Sequence, residues 1–180
     1  MTKDWLIRLS GTGGQGIVTA AVILAEAALI DGFNATQTQV YGPESRGSST
    51  RAEVVISDNK IYYHKVEVPN LLIIISPEAY KKFAGKVTPG GIMIVGGEIG
   101  RGDRHEGIEV YRAPIQVLAR DQVGNAQCTN TVALGVMNAI AKLCSDESFE
   151  ESIKRNFKAS IVDINLKAYK AGLMAEITRE

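Results

Sequence analysis

The sequence predicts an α/β fold, doubly wound around a mostly parallel sheet, with a glycine-rich first strand-helix turn and a small antiparallel insertion. Three observations carry that expectation. Short apolar runs suited to buried strands alternate with longer runs suited to helices. The stretch GTGGQG, from Gly11 to Gly16, joins the first such pair. Leu71 to Ile75, five consecutive apolar residues, suits a central parallel strand covered on both faces.

The elements follow in order. Trp5 to Leu9 reads as the first strand and Ile17 to Ile30, rich in alanine, as the first helix. Asn34 to Val40 alternates threonine and glutamine with little apolar character, and reads as a short strand at the rim of the sheet or an extended segment. Tyr41 to Ser49 is a loop by its glycine, proline and serine content. Ala52 to Ser57 is a β-branched strand, and Asp58-Asn59 turns the chain into Ile61-Tyr62-Tyr63, which predicts an inserted hairpin. Ser76-Pro77-Glu78 has the cap and first-turn proline of a helix start. Ile92 to Val95 and Ile108 to Tyr111 read as further strands, and Ile115 to Asp121 as a helix. Thr131 to Leu143 is apolar on most sides, Ser145-Asp146-Glu147 caps a helix from Phe149 to Phe157, and Ile164 to Ile177 has a surface helix's period.

With 180 residues, 45% of them hydrophobic, the chain has the size of one domain and can bury a real core. Twenty basic and twenty acidic residues cancel, so there is no electrostatic footprint for nucleic acid or an anionic membrane. The first residues lack a signal peptide's apolar segment and no run reaches membrane-spanning length, which predicts a cytoplasmic protein. Cys128 and Cys144 are too few for a disulfide framework or for the four ligands of an iron-sulfur cluster.

Gly11, Gly13 and Gly16 give the G-x-G-x-x-G spacing: the first for a tight turn, the second for backbone approach to a ligand, the third for close helix packing. Gly14 removes one more side chain. With Thr12 and Gln15 these residues form a candidate phosphate cradle, since the N–H groups and dipole at a helix start favour an anion. The competing reading is a turn that serves packing alone. A dinucleotide fold would add an acidic residue ending the second strand. Asp31 is about 20 positions on but precedes Gly32 at the first helix's end, which counts against a nicotinamide dehydrogenase.

No nucleophile-base signature is present, so no catalytic residue is assigned. No metal site is assigned either. His64 and His105 lack partners at metal-ligand spacing and read as solvated or packing residues. The second candidate is the loop Tyr41, Gly42, Pro43, Glu44, Ser45, Arg46 and Gly47, whose charged residues between turn-formers suit an anion or a partner chain. Its bland alternative is a solvated loop with a Glu44–Arg46 or Arg51–Glu53 surface pair.

Taken together, GTGGQG, TQTQVYGPESRGSSTRAEVVIS, PNLLIIISPEAY and NTVALG resemble the gamma subunit of 2-oxoacid:ferredoxin (acceptor) oxidoreductases, most similar to the 2-oxoglutarate branch. The resemblance runs from about residue 5 to about residue 175. Ser45 and Ser48-Ser49-Thr50 depart from the smaller residues of many relatives. What it implies is an accessory subunit of a complex that converts a 2-oxoacid, coenzyme A and an oxidised acceptor into acyl-CoA, carbon dioxide and a reduced acceptor. Thiamine diphosphate would lie between the alpha and beta subunits, and iron-sulfur clusters in beta or a ferredoxin-like delta subunit. Ferredoxin or flavodoxin would take the electrons. The glycine turn and Arg46 would face coenzyme A or the alpha subunit. A free-standing nucleotide-binding or flavin/nicotinamide oxidoreductase stands as the alternative.

Overall fold

The computed structural model describes residues 4–40 and 49–180. The chain forms β1 (Trp5–Thr12), α1 (Ile17–Ile30), β2 (Asn34–Val40), β3 (Ser49–Ser57), β4 (Leu71–Ile74), α2 (Pro77–Phe83), β5 (Ile92–Gly96), β6 (Glu109–Ala113), α3 (Ile115–Val117), α4 (Thr129–Ala141), α5 (Asp146–Asn156), α6 (Ala159–Leu173) and β7 (Thr178–Arg179). One seven-stranded sheet takes the order β2-β3-β1-β4-β5-β6-β7. The pairs β1–β4, β4–β5 and β5–β6 are parallel, while β3 and β7 run against their neighbours. Because β3 opposes both β1 and β2, β2 points the same way as β1.

Side-chain alternation along the strands builds two cores. Ile7, Leu9, Val54, Ile56, Leu71 and Ile73 face one side, where α1, α4, α5 and α6 cover them. Leu72, Ile74, Met93 and Val95 face the other, against Ala79 and Phe83 of α2. Helices on both faces make the sheet doubly wound, as expected. β4 is buried at every position because it is covered on both sides. α2 starts where its sequence predicts: Ser76 Oγ accepts the Ala79 N–H at 3.1 Å and Pro77 occupies the first turn. α5 is capped in the same way by Ser145.

The antiparallel insertion differs from the expected one. Ile61-Tyr62-Tyr63 pairs with no strand; Tyr62 and Tyr63 are exposed. β3 is instead hydrogen-bonded on both sides, by β1 from Trp5 opposite Ile56 to Thr12 opposite Ser49, and by β2 from Asn34 opposite Ser57 to Val40 opposite Arg51. With both edges of β3 taken, no position remains for a third partner. The insertion is therefore the β2–β3 hairpin. Its connection, which includes Tyr41 to Gly47, lies outside the described residues. The helix expected over Ile115 to Asp121 is α3 continued by a π-helical turn, Leu118–Val123, that ends at Gly124 with a φ of 86°.

Candidate functional site at the carboxyl edge of the sheet

β1 and β4 are parallel neighbours whose following helices lie on opposite faces: α1 packs on β1, β2 and β3, and α2 on β1, β3 and β4. Such a divergence opens a crevice outside the strands' carboxyl ends, where ligands of open α/β sheets bind. The turn after β1 and the turn after β4 line it.

The turn from Thr12 to Gly16 is held from within. Gln15 Oε1 accepts the Thr12 N–H at 2.7 Å, and the Gln15 N–H bonds to the Thr12 carbonyl at 3.2 Å. The glycines divide the work differently from the spacing rule. Gly14 and Gly16 carry the positive φ, 88° and 71°, whereas Gly11 is an ordinary strand residue on which a Cβ would strike Gln15. Gly16 also presses on Asn130, whose Nδ2 donates to the Gly16 carbonyl at 3.1 Å. Gly13 and Gly14 are exposed, and a Cβ would meet only Thr50 Oγ1 at 3.8 Å on Gly13 and nothing within 4 Å on Gly14. The backbone is bare at those two positions. α1 begins directly behind them with no side-chain cap and no acidic residue in its first turn. Bare backbone before an uncapped helix start suits a phosphate or another anion.

Two residues outside the glycine motif support the crevice. Gln116 donates to the Ile75 carbonyl at 2.9 Å and fills the space left by Gly96. Asn130, the first residue of NTVALG, ties α4 to the glycine turn as described. Asn130 was visible as part of a motif, but Gln116 carries no local signal.

The expected exclusions divide in the same physical way. Asp31 ends α1, and its carboxylate accepts the Ser145 N–H at 2.5 Å, the Ser145 hydroxyl at 2.6 Å and the Ser148 hydroxyl. Burial raises its pKa, but these hydrogen bonds outweigh that and hold it below the ordinary aspartate value. The β3 strand separates β2 from β1, so among the described residues no acidic side chain ends a second parallel strand beside β1, where a dinucleotide ribose would lie. His64 is exposed. His105 packs edge-on to Tyr80, its Nε2 2.8 Å from the hydroxyl that also donates to Asp103. Burial pushes the Tyr80 hydroxyl to about 12, with Asp103 adding to it. Cys144 is pushed to about 12 by burial and then Asp31, and burial raises Cys128, so neither thiol is an activated nucleophile. Among the described residues no three His, Cys, Asp or Glu side chains gather as metal ligands. With two cysteines in the chain, the four thiolates of an iron-sulfur cluster cannot be supplied. Glu53 is not the surface residue its sequence suggests: it is 5% exposed and paired with Arg8.

Residues 6–175 match the family described as pyruvate ferredoxin/flavodoxin oxidoreductase. The chain belongs to that family. It is 37% identical over 177 residues to the 2-oxoglutarate synthase subunit KorC of Methanocaldococcus jannaschii, covering 97% of this chain and 94% of the relative. The gamma subunit of a keto/oxoacid ferredoxin oxidoreductase from Geobacter sulfurreducens superimposes with a TM-score of 0.82 at 34% identity, covering 93% of this chain and 95% of that one. The 2-oxoglutarate:ferredoxin oxidoreductase of Magnetococcus marinus shares the fold, with a TM-score of 0.85 at 23% identity. There 96% of this chain corresponds to 31% of the larger one. This family member is thus a gamma-type subunit of a 2-oxoacid:ferredoxin oxidoreductase, with its similarity on the 2-oxoglutarate side. The free-standing flavin or nicotinamide enzyme is not favoured. Membership in such a complex implies other subunits.

Proposed function

We propose that this subunit forms the coenzyme A side of a 2-oxoglutarate:ferredoxin oxidoreductase, with Gly11 to Gly16 receiving a phosphate of the coenzyme and Tyr41 to Gly47 facing the coenzyme or the alpha subunit. Thiamine diphosphate belongs to the alpha and beta subunits in this reading, and the iron-sulfur clusters to beta or delta. The complex is cytoplasmic and passes electrons to ferredoxin or flavodoxin.

The observation that carries the proposal is the bare backbone of Gly13 and Gly14 before an uncapped helix at the crevice between β1 and β4. Strand register adds to it. Ser49, the first described residue after the loop, lies opposite Thr12, and β2 ends at Val40 at the same edge of the sheet. The described ends of the hairpin, Val40 and Ser49, thus lie at the edge where the glycine turn lies, which supports the reading. The Magnetococcus enzyme is described with 2-oxoglutarate, coenzyme A and succinyl-CoA bound, and the shared fold makes the same substrates the natural candidates here.

Gly13→Val tests it. The added side chain has room in the fold, so assembly should be kept while the approach of a phosphate is blocked. The expected result is a rise of roughly 10-fold or more in KM for coenzyme A, with the KM for 2-oxoglutarate unchanged; losing one charged contact costs about 2 kcal/mol. An unchanged KM for coenzyme A would return the turn to a packing role.

A further inference from the structure

A second feature lies on the α2 face of the sheet, away from the glycine turn. Between the last turn of α2, residues 64–67 and the β2–β3 hairpin runs an open groove of about 690 Å³. Among the described residues Arg8, Arg51, Lys65, Lys82 and Lys86 line it, with Glu53 and Glu67 as the carboxylates. The chain as a whole is neutral, so the cationic excess is local to this groove.

Its charges are unevenly matched. Glu53 is spent on Arg8: its Oε1 accepts from Arg8 Nε at 3.0 Å and Nη2 at 2.8 Å, and its Oε2 accepts the Val66 N–H at 3.3 Å. Glu67 is exposed and accepts the Tyr63 hydroxyl. Arg51 is left with a long ion pair to Glu53, Nε to Oε1 at 3.6 Å, and its buried Nε has no hydrogen-bond partner among the described residues. Yet Arg51, Lys82 and Arg8 all gather over one ring, Phe83, at 5.8, 5.7 and 5.6 Å from its centre. Like charges drawn together with one carboxylate already used call for a further anion.

We propose that the groove seats an acidic segment of a partner subunit, with one carboxylate meeting Arg51 and others meeting Lys82 and Lys86. This rests on the reading of the chain as a subunit. A polypeptide fits better than a free phosphate for two reasons. Lys65 and Lys86 carry the cationic lining of the open groove beyond the cluster over Phe83, which suits successive side chains of a segment. And the groove meets α2 at its carboxyl-terminal turn, so the backbone N–H donors of a phosphate nest are not offered there.

The test uses the intact complex carrying Lys82→Glu with Lys86→Glu, or Arg51→Met, with Lys154→Glu on the opposite face as control. Thermal melts of the isolated variants establish that each folds. The expected result is at least 10-fold weaker association of both groove variants, with a shallower salt dependence, while the control assembles normally. Carbodiimide coupling of the wild-type complex should join Lys82 or Lys86 to an aspartate or glutamate of another subunit. Wild-type assembly of both folded groove variants would overturn the proposal, as would a raised KM for coenzyme A with unchanged assembly, which would make the groove a phosphate seat. A wild-type chain that joins no partner would contradict the subunit reading itself.

Discussion

The carboxylate of Asp31 closes α1 and holds the start of α5, accepting from the Ser145 backbone and from both serine hydroxyls. Asp31→Ala should therefore cost about 1–2 kcal/mol, the usual loss for a removed helix-end acceptor. Because the folded pKa is depressed, the stabilisation is complete above the unfolded value near 3.8 and is lost as pH falls through the lower folded value. Denaturant titrations of both proteins from pH 7 to pH 2 should show their stability difference shrinking only below about 3.8; a constant difference would refute the assignment. Asp31's position at a helix end was legible from the following glycine, whereas its partners, more than a hundred residues on, were not. Arg8 and Glu53 show the same limit. Glu53 reads as half of a surface pair with Arg51, and only its pairing with Arg8, which also donates to the Val66 carbonyl, accounts for its burial. Arg46 belongs to the loop outside the described residues, and its prediction comes from composition. Arg46→Ala should leave the isolated chain's stability within about 1 kcal/mol but weaken assembly or coenzyme A affinity by about 2 kcal/mol. Wild-type values for both would make it a solvated residue.

At the scale of elements, the α4–α6 crossing explains why NTVALG is informative. Thr131 Oγ1 donates to Asn165 Oδ1 at 2.8 Å, and Gly135 meets Gly172 where the helices touch. A Cβ on Gly135 would lie 2.2 Å from the Tyr169 carbonyl oxygen, a backbone atom that cannot turn aside. Gly135→Ala should force the helices apart and cost about 1–3 kcal/mol or more, seen as a lower denaturation midpoint. A neutral result would mean that the crossing is looser than described. Elements with local chemical signals were legible in the same way: the Ser76 and Ser145 caps, and the unbroken apolar run of β4. Ile61-Tyr62-Tyr63 misled because aromatic and β-branched residues favour strands, while here Arg8 fastens the neighbouring Val66 and Glu67 carbonyls over the sheet face. β7 is two residues long and depends wholly on its pairing with β6, so no local pattern could announce it.

For the whole molecule, the sheet order sets this glycine motif in a different frame from that of dinucleotide enzymes. An antiparallel strand stands between β1 and β2, removing the ribose-binding position while leaving the phosphate-favouring turn open. The α/β class and the glycine turn were visible in the sequence. The crevice was not, because it requires β1 and β4, more than fifty residues apart, to become parallel neighbours. Among the described residues neither cysteine is an activated thiol, and two cysteines are too few for a cluster, so the proposed function rests on other subunits for the chemistry. Purification of the tagged chain from its native cells, followed by subunit identification and an assay of ferredoxin reduction, tests this most directly. The prediction is stable recovery with other oxidoreductase subunits and turnover that needs both 2-oxoglutarate and coenzyme A, while the chain alone holds no iron and is inactive. Recovery without such partners, or turnover and stoichiometric iron in the isolated chain, would contradict it.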